Sequence, residues 1–208
     1  MTNDSGQSVV TVKRYKSGKT FEEYLDSGVR NLELFRENYH DTKITESQES
    51  SLKAIASKGG GADHMMVVGE DWCPDVYRGA AIAARISEAM GIEYRFFERD
   101  QNKDIMAEFL NGDFESIPVF VFYDADHREL GNFKERPEIA NEQMGEIRKV
   151  LGDMTPEGIA AKLGHEPSEE EIQAARAEAR ERYMEWQRGP IWAGWRDATV
   201  DEVIETLS

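Results

Sequence analysis

The only cysteine of the chain, Cys73, stands in GEDWCPDVYRGA, residues 69–80. Thiolate, not thiol, is the nucleophile, so what this residue can do depends on how readily it loses its proton. Val76, Ala80, Ala83, Ile86 and Met90 follow at helical spacing. The sulfur therefore sits where a helix begins, near the positive end of the peptide dipole and its unpaired N–H groups, and both favour thiolate. Glu70, Asp71 and Asp75 act against this, because neighbouring negative charge disfavours another; the nearest cation, Arg78, lies a turn onward. Whether Asp75 faces the sulfur or caps the helix is open at this level. Asp75 and Arg78 read equally as an ion pair or proton-transfer pair and as solvated surface.

Other residue types exclude more than they suggest. His40, His64, His127 and His165 lie far apart with no second cysteine nearby, so no metal-ligand spacing is present and neither metal nor cofactor is expected. One cysteine allows no internal disulfide, which agrees with a reducing compartment. The start, MTNDSGQ, lacks the basic-then-apolar order of a signal peptide. No apolar run approaches the roughly 20 residues that span a bilayer. A cytoplasmic protein is expected. With 25 basic and 41 acidic residues the net charge is −16, which repels phosphate backbones and anionic lipid. Neither nucleic acid nor membrane is expected as a partner.

The elements that must position Cys73 follow from periodicity. Residues 1 to about 18 are polar and begin as a loose tail. Thr20 with Glu23 is a capping box, and Phe21, Tyr24, Leu25, Leu32, Phe35 and Tyr39 predict one long amphipathic helix packing on its own domain. Thr45 with Gln48 opens a second helix, which GGG at 59–61 ends. The period then changes: HMMVVG (64–69), IEYRFFER (92–99) and IPVFVFY (117–123) predict strands, and RELGNFKER a hairpin partner. Helices are expected at 102–110 and from about 138 to 151. Thr155 with Pro156 begins a further one, Ser168 with Glu171 caps a longer one stopped at Gly189-Pro190, and Thr199 with Glu202 starts the last turns. The fold class is α/β, a mixed sheet flanked by helices with its early strands parallel. Three regions are expected: an N-terminal helical extension over 1–59, the α/β domain over 60–151 and a C-terminal helical extension over 152–208. Trp186, Trp192 and Trp195 are expected to dock the terminal helices onto the body.

At this point the residues resemble the thioredoxin superfamily over roughly 60–151. WCPD, 72–75, stands where those proteins carry tryptophan, cysteine, two further residues and a second cysteine. SIPVFVF, 116–122, is similar to the segment whose proline is cis in that family, and RELGNF to the following hairpin strand. The resemblance implies Cys73 as attacking thiol, Trp72 as flanking aromatic and Pro118 as the cis-proline facing the cysteine. Trp72, Pro74, Asp75 and Ile117 would then form the substrate-facing rim. The pattern is broken at two linked places: Val76 stands where the second cysteine would, and Val67 where many members carry a buried acid. Both omissions belong to the step in which a second thiol releases the substrate.

The expectation is a monothiol thiol–disulfide oxidoreductase. It would exchange with a protein or low-molecular-weight thiol and be resolved by an external thiol. The competing expectation is a redox-inactive binding or assembly module on the same fold, with a homodimer through the helical extensions as one form of assembly. The peroxiredoxin motif, with threonine ahead of the cysteine, and the glycine-bearing motif of cluster-binding monothiol glutaredoxins are both absent.

Overall fold

The computed structural model describes residues 8–208, and the chain divides into two compact units. One runs up to Pro137 and includes Arg196–Ser208; the other is Glu138–Trp195. The first holds a four-stranded sheet of β1 (His64–Gly69), β2 (Glu93–Glu98), β3 (Val119–Tyr123) and β4 (Glu129–Lys134), in the order β2-β1-β3-β4. β1 and β2 are parallel, with His64 opposite Glu93; β3 is antiparallel to both β1 and β4. The two central strands are the two whose residues are buried throughout, HMMVVG and VFVFY. A strand covered on both faces has no polar side to alternate with, which is why these runs are continuous rather than alternating. The mixed sheet flanked by helices is the expected one.

The helices of this unit are α1 (Val12–Tyr15), α2 (Phe21–Asp26), α3 (Leu32–Asp41), α4 (Glu46–Ser57), α5 (Pro74–Met90) and α6 (Lys103–Met106). α5 packs on β1, and α3 and α4 pack on α5. Two glycines allow the closest approaches. A β-carbon at Gly69 would stand 2.7 Å from Val76 Cγ1, and one at Gly79 would stand 2.6 Å from Pro118 Cγ. The start of α5 is thus pressed onto the end of β1 and onto the proline segment ahead of β3.

Several expectations are corrected. The loose start expected of residues 1 to about 18 falls in part on residues 1–7, which lie outside the described residues; from Ser8, whose hydroxyl donates to Glu108 Oε2 at 2.6 Å, the segment is tied to the body. Val10 and Tyr15 are buried, the Tyr15 hydroxyl donates to Met65 O (3.3 Å) and Glu93 O (3.2 Å), and Lys19 pairs with Phe96. This segment is also tied through histidines. His64 Nδ1 meets Asp63 Oδ2 at 3.0 Å, His64 Nε2 meets His127 Nδ1 at 2.6 Å, and His127 Nε2 donates to Val10 O at 2.7 Å. The long helix over 21–39 is two, α2 and α3, turned by Gly28 (φ 86°) and Asn31 (φ 57°) in the left-handed region. The helix expected over 102–110 stops at Met106 and continues as single turns, Glu108 N–H to Ile105 O and Phe109 N–H to Met106 O.

In the second unit the helix expected over 138–151 is also two, α7 (Glu138–Glu142) and α8 (Met144–Leu151), separated at Gln143. α9 (Pro156–Leu163) and α10 (Glu169–Trp186) begin at Thr155 and Ser168 as their capping residues predict, and both α8 and α9 pack on α10. The tryptophans pack on one another: Trp186 and Trp192 ring centres lie 5.9 Å apart, Trp192 and Trp195 5.4 Å, and Tyr183 stacks on Trp186. The last helix does not begin at Thr199. α11 runs from Pro190 to Leu207, with buried Thr199 inside it. Trp192, Trp195, Thr199, Val203 and Leu207 are all buried and recur at helical spacing, so tertiary burial of one continuous stripe overrides the local capping signal. The Arg196–Leu207 part of α11 belongs to the first unit, where Asp201 accepts from Gln48 Nε2 at 2.8 Å and Leu207 O from Lys58 Nζ at 2.9 Å.

Candidate functional site

Cys73 is the N-cap residue of α5, with extended backbone and Pro74 as the first helical residue. Proline suits that place because its missing N–H would have no helical partner there. The Cys73 carbonyl accepts from Val76 N–H (3.0 Å) and Tyr77 N–H (3.2 Å), closing the first turn. The loop before it is held from outside: Asp71 Oδ2 accepts from Arg30 N–H at 2.7 Å, and Asp71 O from the Asn31 amide at 3.1 Å. The turn that breaks the predicted long helix is therefore what braces the approach to the cysteine.

The Cys73 thiol points at Ile117 O, 3.9 Å away, and the Ile117-Pro118 peptide is cis. Sulfur, Trp72, Asp75 and Ile117 line one solvent-open groove of about 600 Å³, together with Arg99, Phe114, Ser116 and Arg136. Of the residues singled out in the sequence, Pro74 and Pro118 do not line the groove. Pro118 is buried and turned onto Gly79, and Pro74 is taken up by the helix start. Trp72 is 47% exposed, with the Arg99 guanidinium 5.3 Å from its ring centre. Phe114, 74% exposed, forms a second aromatic wall that sequence reasoning passed over; it sits in the loop NGDFES, where an aromatic among turn residues was the available signal.

Asp75 does not cap the helix as a free acid. Its Oδ1 accepts from Arg78 Nη2 at 2.7 Å, and its Oδ2 lies 2.9 Å from Arg136 Nη2. Arg78 is 1% exposed, so the solvated-surface reading of this pair is corrected: a buried arginine pairs with a carboxylate at the groove wall. Arg136 also pairs with its neighbour Glu135. Burial, followed by the charge of Asp75, pushes the Cys73 thiol pKa above its ordinary value; the N–H groups of Val76 and Asp75 and the charge of Arg136 pull the other way without reversing it. The helix start therefore does not prevail over desolvation here.

Val76, in the position that would hold a second thiol, is 0% exposed and packs against Gly69. Val67 is likewise fully buried in β1. Both positions are apolar core. Among the described residues no group of three or more His, Cys, Asp or Glu could hold a metal ion, and no helix is long and apolar enough to cross a membrane.

Comparison with known proteins places this architecture. The chain is similar in fold to an HIV epitope-scaffold, at 16% identity and a TM-score of 0.59 over 97% of this chain and 98% of that one. It is also similar to a protein of unknown function from Pseudomonas aeruginosa, at 18% identity and a TM-score of 0.55 over 83% of this chain and 99% of that one. No functionally curated protein matches it. The family model described as thioredoxin matches residues 18–150, a span that takes in the whole sheet, the helix-capping cysteine and the cis proline beside it. With its mixed sheet and flanking helices in the thioredoxin-like arrangement, the chain belongs to the thioredoxin family.

Proposed function

We propose that the protein carries out thiol–disulfide exchange through Cys73 alone, in a reducing compartment such as the cytoplasm. The observation that carries this reading is the position of the sulfur: it faces Ile117 O across 3.9 Å at the wall of an open groove rather than inside the core. Cys73 thiolate attacks one sulfur of a disulfide, the S–S bond breaks, and the departing thiolate takes up a proton. The mixed disulfide left on Cys73 is then attacked by an external thiolate, which returns Cys73 as thiolate and leaves with the substrate sulfur in a new disulfide. Trp72 and Ile117 would flank the incoming sulfur.

A thiol of raised pKa is scarce as thiolate near neutral pH, and it is also a poor leaving group. Once formed, a mixed disulfide on Cys73 would therefore persist. The same raised pKa favours a second reading, a redox-inactive binding module in which Cys73 is a retained small residue.

The test is iodoacetamide alkylation of the folded protein across pH, with Cys73→Ser as blank, followed by trapping with an aromatic disulfide. The exchange reading expects alkylation without denaturant, rising through an apparent pKa above the free-cysteine value of about 8.5, and one trapped adduct per chain. A thiol that reacts only after unfolding would overturn it in favour of the binding module.

A further inference from the structure

We propose, resting on the exchange reading, that Arg136 is a positioning residue for Cys73: clamped on Asp75 and Glu135, it holds the Asp75 carboxylate in an ion pair and presents positive charge to the groove where thiolate must form.

The backbone after β4 delivers this arginine. Immediately after β4, Glu135 adopts φ 66°, a left-handed conformation that a residue with a β-carbon takes only when its surroundings require it. Its N–H donates to Pro118 O at 2.7 Å, and the next N–H, that of Arg136, donates back to Lys134 O at 2.9 Å. The turn is thus pinned to the cis proline itself, and Pro137 follows at once. The outcome is an arginine swung out of a hairpin edge into the groove wall that Cys73 also lines.

What it meets there is built for pairing. Asp75 gives one oxygen to Arg78 and the other to Arg136, at 2.7 and 2.9 Å. All three side chains are largely shielded, at 1% exposure for Arg78, 14% for Asp75 and 16% for Arg136, so their charges are little screened by salt. Without Arg136, Asp75 would keep Arg78 but place an unshared oxygen toward the groove, two residues along the chain from Cys73. The other charged groups of the groove are already paired, Arg99 with Asp100 at 2.8 Å and Glu115 with Lys103 at 2.6 Å, and they lie 3.7 Å from each other. Arg136 is also the arginine whose charge acts on the thiol.

The experiment compares pH–rate profiles of iodoacetamide alkylation for the full chain and four variants. Arg136→Met should move the midpoint upward and slow alkylation near pH 7 by about 3- to 10-fold, the loss of half to one decade of thiolate. Arg136→Lys should restore most of the wild-type profile. Arg128→Met, which removes an equal charge from the β3–β4 hairpin turn, should leave it unchanged. Glu135→Gln frees Arg136 of one acid and should move the midpoint downward, a result that remains readable if Arg136→Met fails to fold. An Arg136→Met profile that superposes on wild type, an equal shift from Arg128→Met, or an unmoved Glu135→Gln profile would each overturn the proposal. The exchange reading fails when wild-type Cys73 alkylates only after unfolding or yields no trapped adduct, whereas the role of Arg136 fails on a comparison of variants whose thiol does alkylate, so the two failures are distinguishable.

Discussion

Gly79, in the second turn of α5, lies directly beneath Pro118, so close that a β-carbon on it would stand 2.6 Å from Pro118 Cγ and 3.2 Å from Phe120 Cζ. The helix that begins at Cys73 and the segment that carries Ile117 are therefore held together by a missing side chain. Gly79→Ala should destabilise the protein by about 1–3 kcal/mol, the range for a methyl forced into a packed core, although alanine is the better helix former. Chemical denaturation checks it. Unchanged stability would mean that α5 and Pro118 can separate freely, and the Cys73-to-Ile117 geometry would not be rigid.

Tyr94 is buried, and its hydroxyl has no hydrogen-bond partner among the described residues. A buried polar group left unmade typically costs about 1–3 kcal/mol. Tyr94→Phe removes the group and keeps the ring, so it should be neutral or stabilising. A clear loss of stability would reveal an ordered water or other partner for the hydroxyl.

Alkali should unfold the protein through the same class of residues. Burial raises the pKa of Tyr15, Tyr24, Tyr94 and Tyr123. A group whose folded pKa exceeds its unfolded value gives stability that is fully present below the unfolded value, about 10 for tyrosine, and lost as pH rises toward the folded one. Cys73 has the same sign and begins lower, near 8.5. Unfolding free energy should hold steady around neutrality and fall as pH rises beyond about 9. Cys73→Ser should remove the earliest part of that fall. A flat response to alkali would contradict the burial of these hydroxyls.

The histidine chain makes a separate claim about residues 8–15. His127 Nε2 holds Val10 O while its Nδ1 meets His64, whose ring stacks on it with centres 4.9 Å apart. His127→Ala leaves a buried imidazole nitrogen of His64 without its partner, at a cost of about 1–3 kcal/mol. Hydrogen exchange should show the loss concentrated at Val10–Tyr15 and the start of β1. Uniform loss across the sheet would mean that the chain does not fasten that segment in particular.

Val76→Cys tests the missing half of the site. A thiol there would sit at the first turn of α5, three residues from Cys73, and valine-to-cysteine removes little volume. The variant should form an internal disulfide and fail to accumulate the mixed disulfide that the exchange reading expects of wild type, as read by intact mass. Equal accumulation in both proteins would show that the buried first turn bars the second sulfur from reaching the first.

The strands were legible to within about two residues because each central strand is an uninterrupted apolar run, a signal that needs no tertiary context. Cys73 and the proline segment were legible through their local motifs. What stayed hidden has a common cause: Asn31 and Glu135 take left-handed backbone without being glycine. Asparagine tolerates that region better than most residues, a weak signal, and glutamate gives none, yet the first braces the Asp71 loop and the second delivers Arg136. The start of α11 was hidden for another reason. The capping pair Thr199 and Glu202 is a real local signal, overruled by a buried stripe that starts two turns earlier.

Val76 fills with hydrocarbon the place from which a second thiol would act. Release of any partner bound to Cys73 by a disulfide is then a meeting of two molecules, and its rate is of second order. The lifetime of such an adduct would scale inversely with the concentration of free thiol outside, so the loaded fraction of the protein would report the reducing strength of its surroundings.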